Sequence, residues 1–182
     1  MNLTDVTLDI ETLSLKPNAV VISISAIVFD PFMINDHFDD NPKLDLLLDI
    51  NEQESRHIQE ETVDWWLKQD KTVQEKLFSL NNRVSVNDAL DQLTKFCWLK
   101  ERVWCQGPTF DMTILQNLYD EYHKCLPVEY WRIRDSRTLL DLIDVNQPIV
   151  THDSLNDCIR QTMGIQQVLK KLNIKKFQRY KK

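Results

Sequence analysis

An α/β fold is expected for this 182-residue chain from three features of its sequence. The N-terminal segments alternate β-branched or apolar residues with polar ones, which is the period of a strand. The middle and C-terminal segments carry apolar residues at helical spacing. A short apolar run, Arg102–Gln106, interrupts the helical part, so strands and helices are interleaved. The length fits one domain, set at residues 1–173, followed by a basic tail at 174–182.

The elements follow in order. VTLDIETL opens the chain, and a strand is expected over Asp5–Glu11. A second strand spans Val20–Asp30, after a turn at Leu15-Lys16-Pro17-Asn18. KLDLLLDI, Lys43–Ile50, alternates well enough to be a third strand. Helices are expected over Glu61–Gln69 and Thr72–Leu80. Ser85 with Asp88 has capping-box spacing and opens a helix to about Lys100. Arg102–Gln106 is a strand, broken by Gly107-Pro108. Phe110–His123 is amphipathic, with Ile114, Leu115, Leu118 and Tyr122 on one side. Tyr130–Arg134 is expected as a fifth strand, Ser136–Ile143 as a helix, and Asp153–Asn173 as a last helix weakened at Gly164.

A hydrophobic content of 42% and a charged content of 27% are those of a soluble globular protein. Ala19–Phe29 is too short and too rich in serine to span a bilayer, so no membrane partner is expected. The N-terminus lacks a basic segment followed by an apolar run, and no signal peptide is expected. The four cysteines stand apart without a CxxC pair, which argues against zinc and fits a reduced cytoplasmic compartment, with Cys105 and Cys158 as core residues. The net charge of −6 does not advertise a nucleic-acid binder. Residues 164–182, however, hold seven of the 22 Lys and Arg and none of the acids. That tail is either a contact for a polyanion or a solvated helix end.

On a strand, Asp9 and Glu11 share one face while Val6, Leu8 and Ile10 take the other. Paired carboxylates repel, and enclosing them is costly. The face is therefore solvated, neutralised by Arg or Lys, or built for a divalent metal such as magnesium or manganese. A metal site requires further acids from other elements. Asp111, in WCQGPTFD, lies where a strand end leads into a helix start, the usual ligand position of an open α/β sheet. It is equally suited to a helix N-terminus. Asp157, in THDSLND, has capping-box spacing from Ser154. His152 precedes it by five residues.

Asp9 and Glu11 in LDIET, Asp111 after GPTF, and His152 with Asp157 as H-x4-D stand in the order seen in DEDDh exonucleases, the DnaQ-like family, which the chain resembles over nearly its whole length. WCQGPTFD, RDSRT and HDSLNDC, with the double tryptophan of TVDWWLKQ, are similar to the subgroup that holds exonuclease A of T-even bacteriophages and bacterial enzymes acting on RNA. The resemblance implies an RNase H-like fold, with a mixed five-stranded sheet, strand two antiparallel, and flanking helices. It implies two divalent ions, Mg2+ or Mn2+, at about 3.5–4 Å separation. Asp9 would bridge both, Glu11 and Asp157 would complete the first site, Asp111 would act through a coordinated water, and His152 would be the general base. The implied activity is 3′→5′ removal of mononucleotides from single-stranded ends, with DNA favoured over RNA by the phage-like segments.

For substrate contacts, Thr12 and Leu13 follow the acids where similar enzymes use backbone groups and an apolar wedge. Phe110 is a stacking candidate or a core aromatic. Trp65 and Trp66 are adjacent, so one of them faces inward; Trp66 is assigned to substrate here. Arg134 and Arg137 are candidates for phosphate or for pairing with acids, and Asp135 is assigned a structural role. Ser14 stands where many relatives have Gly, and Ser23 where many have an acid. A homodimer is compatible with the family. A non-catalytic binding module on the same fold is the competing class, and the intact set of four acids and a histidine speaks against it.

Overall fold

The computed structural model describes residues 3–34, 37–145 and 148–178. A mixed sheet of six strands runs in the order β4-β3-β2-β1-β5-β6. β1 (Asp5–Thr12), β2 (Val21–Phe29) and β3 (Lys43–Leu48) form an antiparallel meander. β5 (Arg102–Cys105) lies parallel to the other side of β1, and β6 (Ile133–Asp135) lies parallel to β5. β4 (Arg83–Val84) adds in parallel to the outer edge of β3. The helices are α1 (Glu60–Trp66), α2 (Lys71–Leu77), α3 (Val86–Cys97), α4 (Pro108–Glu121), α5 (Ser136–Leu140) and α6 (Ser154–Lys171).

The two faces of β1 explain its sequence. Val6, Leu8 and Ile10 join the main core with the apolar stripes of α3 and α4. The other face carries Asp5, Thr7, Asp9 and Glu11, and α6 lies across it with polar partners. Thr7 Oγ1 meets Thr162 Oγ1 at 2.7 Å, Ser154 Oγ meets Ser23 and Ser25 at 3.0 and 2.7 Å, and Cys158 Sγ donates to the Ser25 carbonyl. Asp5 is fully enclosed, and its carboxylate accepts from Arg102 and from Trp104 Nε1. Buried polar groups are tolerated only when paired in this way. Cys105 and Cys158 are buried free thiols, as expected.

Several expectations need correction. The sheet has six strands rather than five, because Arg83–Val84 is too short for a periodic signal yet finds two partners on β3. Tyr130–Arg132 forms a single 3-10 turn, closed by the Arg132 N–H donating to Glu129, so the last strand starts at Ile133 and not at Tyr130. α2 ends at Leu77 rather than Leu80, where Arg83 Nη2 donates to the freed Leu77 carbonyl. α3 is capped by Ser85, which accepts from the Asp88 N–H as its spacing predicted, but it ends at Cys97 as Trp98 turns extended. At α6 the cap is Asp153, accepting from the Asn156 N–H, and Ser154 is committed to Ser23 and Ser25 instead of to Asp157. Lys76 then links Asp153 to Asp45, tying the start of α6 to α2 and β3. Of the tail, Ile174 and Phe177 pack onto the Trp104 and Leu169 cluster, while residues 179–182 lie outside the described residues.

Candidate active site

β1 is the strand with antiparallel β2 on one side and parallel β5 on the other. Crevices at the carboxyl ends of such strands are where open sheets hold ligands. Asp9 and Glu11 project there from β1. A register shift between Glu11 and Thr12 leaves Ile22 as the extra residue of β2, so the chain is re-aimed immediately after the second acid. Gly107 holds φ at +115° and lets α4 begin directly after β5, which brings Asp111 into the cleft in the first turn of that helix. Asp157 arrives from the first turn of α6.

Side-chain oxygens of Asp9, Glu11 and Asp157 all lie within 4.8 Å of one another. Asp111 joins them in lining a cleft of about 260 Å³, together with Gln106, Phe110, His152 and the arginines Arg137 and Arg160. Three of the acids are held from outside the cluster. Gln161 Nε2 donates to Asp9 at 3.1 Å. Asp157 accepts from the backbone N–H groups of Thr151 and His152, at 3.3 and 3.0 Å, and from Arg160 Nε at 3.3 Å. Hydrogen bonds from backbone at Ile10 and Asp111 favour the ionised form of Asp111. Asp157, Arg160 and Gln161 share a face because they are three and four residues apart on one helix.

Burial raises the carboxyls of Asp9, Glu11 and Asp111. Loss of water raises the Asp9 carboxyl well above the usual range, and the charges of Asp111 and Asp157 add to the rise. Glu11 is raised likewise, by burial first and then by Asp9, Asp157 and Asp111. Burial lifts Asp111 to about 7. Converging carboxylates repel unless protons or a cation stand between them, and hard oxygen donors suit Mg2+ or Mn2+. The residues present fit such ions.

His152 holds a left-handed backbone, φ +56°, at the turn into α6. Its N–H goes to Asp157, and its ring lies 4.7 Å from Trp65 at 82°. Beside the cleft, sharing Ile10, Glu11 and Phe110 with it, is a mostly apolar pocket of about 370 Å³ that adds Thr12, Leu15, Gln59, Trp65 and Trp66.

A protein-family model described as the 3′-5′ exoribonuclease Rv2179c-like domain matches residues 4–169. The chain belongs to this family. An exodeoxyribonuclease of Enterobacteria phage T4 is 23% identical over 91% of this chain and 89% of its own. Among solved structures, the nuclease domain of 3′hExo, a DEDDh family member bound to rAMP, superposes with a TM-score of 0.60 at 10% identity over 92% of both chains. S. pombe Pop2p in a Mg2+- and Mn2+-bound form superposes with a TM-score of 0.61 at 11% identity over 96% of this chain and 86% of its own. The Rv2179c-like domain is thus a DEDDh-type 3′-5′ exonuclease, a hydrolase, on an RNase H-like fold.

Within the Rv2179c-like domain the four acids and His152 line one cleft; of the expected substrate residues, Leu13 and Arg134 line neither cavity, and Trp66 lines the apolar pocket from a buried position. Leu13 is buried in a satellite core with Val20 and Ile22, and both its backbone groups are taken by Val20 and Gln59; Leu15, 69% exposed, is the leucine at the pocket. Trp66 is the inward tryptophan, 1% exposed, and its Nε1–H supports the Thr12 carbonyl at 2.9 Å. Arg134 donates to the carbonyls of Trp131 and Ile133, and Arg137 is the one that reaches the cleft, where Nη2 also donates to the Gln106 carbonyl. Thr12 lines the pocket, with its hydroxyl donated to the Ser14 carbonyl. Phe110 packs on the core from one side and lines both cavities from the other. Asp135 caps α5. Sequence reasoning missed Arg160 and Gln161; their one signal is the helical spacing from Asp157.

Proposed function

We propose that the protein hydrolyses the terminal phosphodiester bond at 3′ ends of single-stranded DNA and releases nucleoside 5′-monophosphates. The observation that carries this reading is the convergence of Asp9, Glu11 and Asp157 from β1 and α6 beside a mostly apolar pocket of about 370 Å³, roomy enough for a nucleobase. Asp9, Glu11, Asp157 and Asp111 would hold two divalent ions, Mg2+ or Mn2+. When bound, such ions neutralise phosphate charge, make water a nucleophile at neutral pH and stabilise the leaving oxygen.

The remaining work falls to the chain. Leu15 and Phe110 receive the terminal base in the apolar pocket, where stacking contributes roughly 1–3 kcal/mol per base. Arg137, exposed at the rim of the cleft, offers its guanidinium to a phosphate oxygen of the entering strand. His152 accepts the proton of the attacking water on its imidazole, acting as general base. Gln161 and Arg160 keep Asp9 and Asp157 in place while charge shifts.

DNA is favoured by the T4 exodeoxyribonuclease, a relative aligned over nearly the full length of both chains. RNA is the second reading, favoured by the family's own description as an exoribonuclease domain. Matched 5′-labelled DNA and RNA oligonucleotides, incubated with Mg2+, with Mn2+ and with EDTA, separate the two. A metal-dependent ladder on DNA, faster than on RNA and absent in Asp157→Asn, is the expected result. A faster ladder on RNA would transfer the substrate assignment. No ladder on either strand, with binding retained, would leave a binding module.

A further inference from the structure

We infer that Trp65 is a positioning residue for His152, fixing where the imidazole stands at the edge of the acid cleft. The inference rests on the proposed role of His152 as general base. General bases are commonly oriented by a third group, most often a hydrogen-bonded carboxylate or carbonyl. Here the backbone N–H of His152 is bonded to Asp157, but among the described residues no hydrogen bond holds its ring. The ring's neighbour is the Trp65 indole, edge to face at 4.7 Å and 82°. Such aromatic pairs favour one mutual orientation over others.

Trp65 is itself set on a firm base. Its ring stands 4.8 Å from that of Trp66, at 74°, and Trp66 is buried and bonded to the carbonyl of Thr12, the residue after Glu11. The path from β1 to the imidazole therefore runs through two indoles. Trp65, 40% exposed, lines the apolar pocket and also meets the His152 ring. With the ring gone, the imidazole keeps its backbone turn but loses what limits its rotation. Misplacing a catalytic group by about 1 Å can cost on the order of 10²-fold in rate.

The test measures kcat and KM on a labelled oligonucleotide for Trp65→Ala, Trp65→Leu, Trp65→Phe, His152→Ala and the double variant Trp65→Ala/His152→Ala. Trp65→Leu keeps apolar bulk without a ring, so it separates orientation from folding. The expected result is a kcat loss of roughly 10-fold or more in the Ala and Leu variants. Substantial recovery is expected in Trp65→Phe, with no added kcat loss when Trp65→Ala is placed on His152→Ala. An equal kcat loss with and without His152 would make Trp65 an independent contributor and overturn the inference. So would a change confined to KM, or a Trp65→Ala enzyme of normal kcat. Full activity in His152→Ala would instead remove the base assignment, and this role with it.

Discussion

His152 combines a proposed chemical duty with an unusual backbone. A non-glycine residue at φ +56° costs about 1–2 kcal/mol, here offset by the N–H bond to Asp157. Two substitutions separate the contributions. His152→Ala and His152→Gly should both lower kcat by a factor on the order of 10²–10⁴, since neither can take a proton. In urea unfolding, the Gly variant should be the more stable of the two by about 1 kcal/mol, because glycine accepts this backbone freely. An Ala variant as stable as the Gly variant would show that the turn is unstrained. At this scale the acids were legible, since period-two spacing places Asp9 and Glu11 together whatever the rest of the fold does. Leu13, expected at the substrate, is buried and Leu15, expected in a turn, lines the pocket, because the register shift after Glu11 re-aims the chain. Gln161 and Arg160 were silent, since their partners Asp9 and Gln106 come from strands and loops far away in sequence.

Element boundaries follow capping chemistry more closely than periodicity. Ser85 was readable because its partner is three residues on, whereas Asp153 was hidden behind Ser154, a better-looking cap drawn away by serines on β2. The start of α4 depends on Gly107. A methyl group there would meet Arg137 only at ordinary contact distance, 3.8 Å, so crowding is not the obstacle; the φ of +115° is. Gly107→Ala is therefore expected to destabilise the protein by about 1–2 kcal/mol through the backbone alone. If α4 instead re-starts with an altered first turn, Asp111 moves and activity falls, by on the order of 10-fold or more. Unfolding curves and kcat measured on the same preparation distinguish the two, and a variant unchanged in both would mean that the turn tolerates a side chain.

At the scale of the whole molecule, the acid cluster links stability to pH and metal. Asp9, Glu11 and Asp111 titrate higher in the folded chain than unfolded, where carboxyls lie near 4; Asp111 reaches about 7. A raised carboxyl means that the folded state binds protons the unfolded state has lost, so stability falls as pH rises through that interval. In EDTA, the melting temperature should therefore decline from about pH 5 to pH 8. Mg2+ or Mn2+ should restore it, and by more at pH 8 than at pH 5, where protons compete for the same oxygens. A flat profile in EDTA, or equal rescue at both pH values, would disconnect the cluster from metal. Among the described residues no helix is long and apolar enough to cross a membrane.

The cluster also has a history within each molecule. Asp9 and Glu11 leave the ribosome long before Asp157, which follows on the helix that closes over the polar face of β1. Chains fold from the N-terminus as they are made, so the meander of β1, β2 and β3 can exist well before the third carboxylate does. A nascent or prematurely terminated polypeptide lacking α6 would carry two of those three acids and no closed cleft. Competence to cut would thus arrive only once α6 has been made and has closed over the sheet.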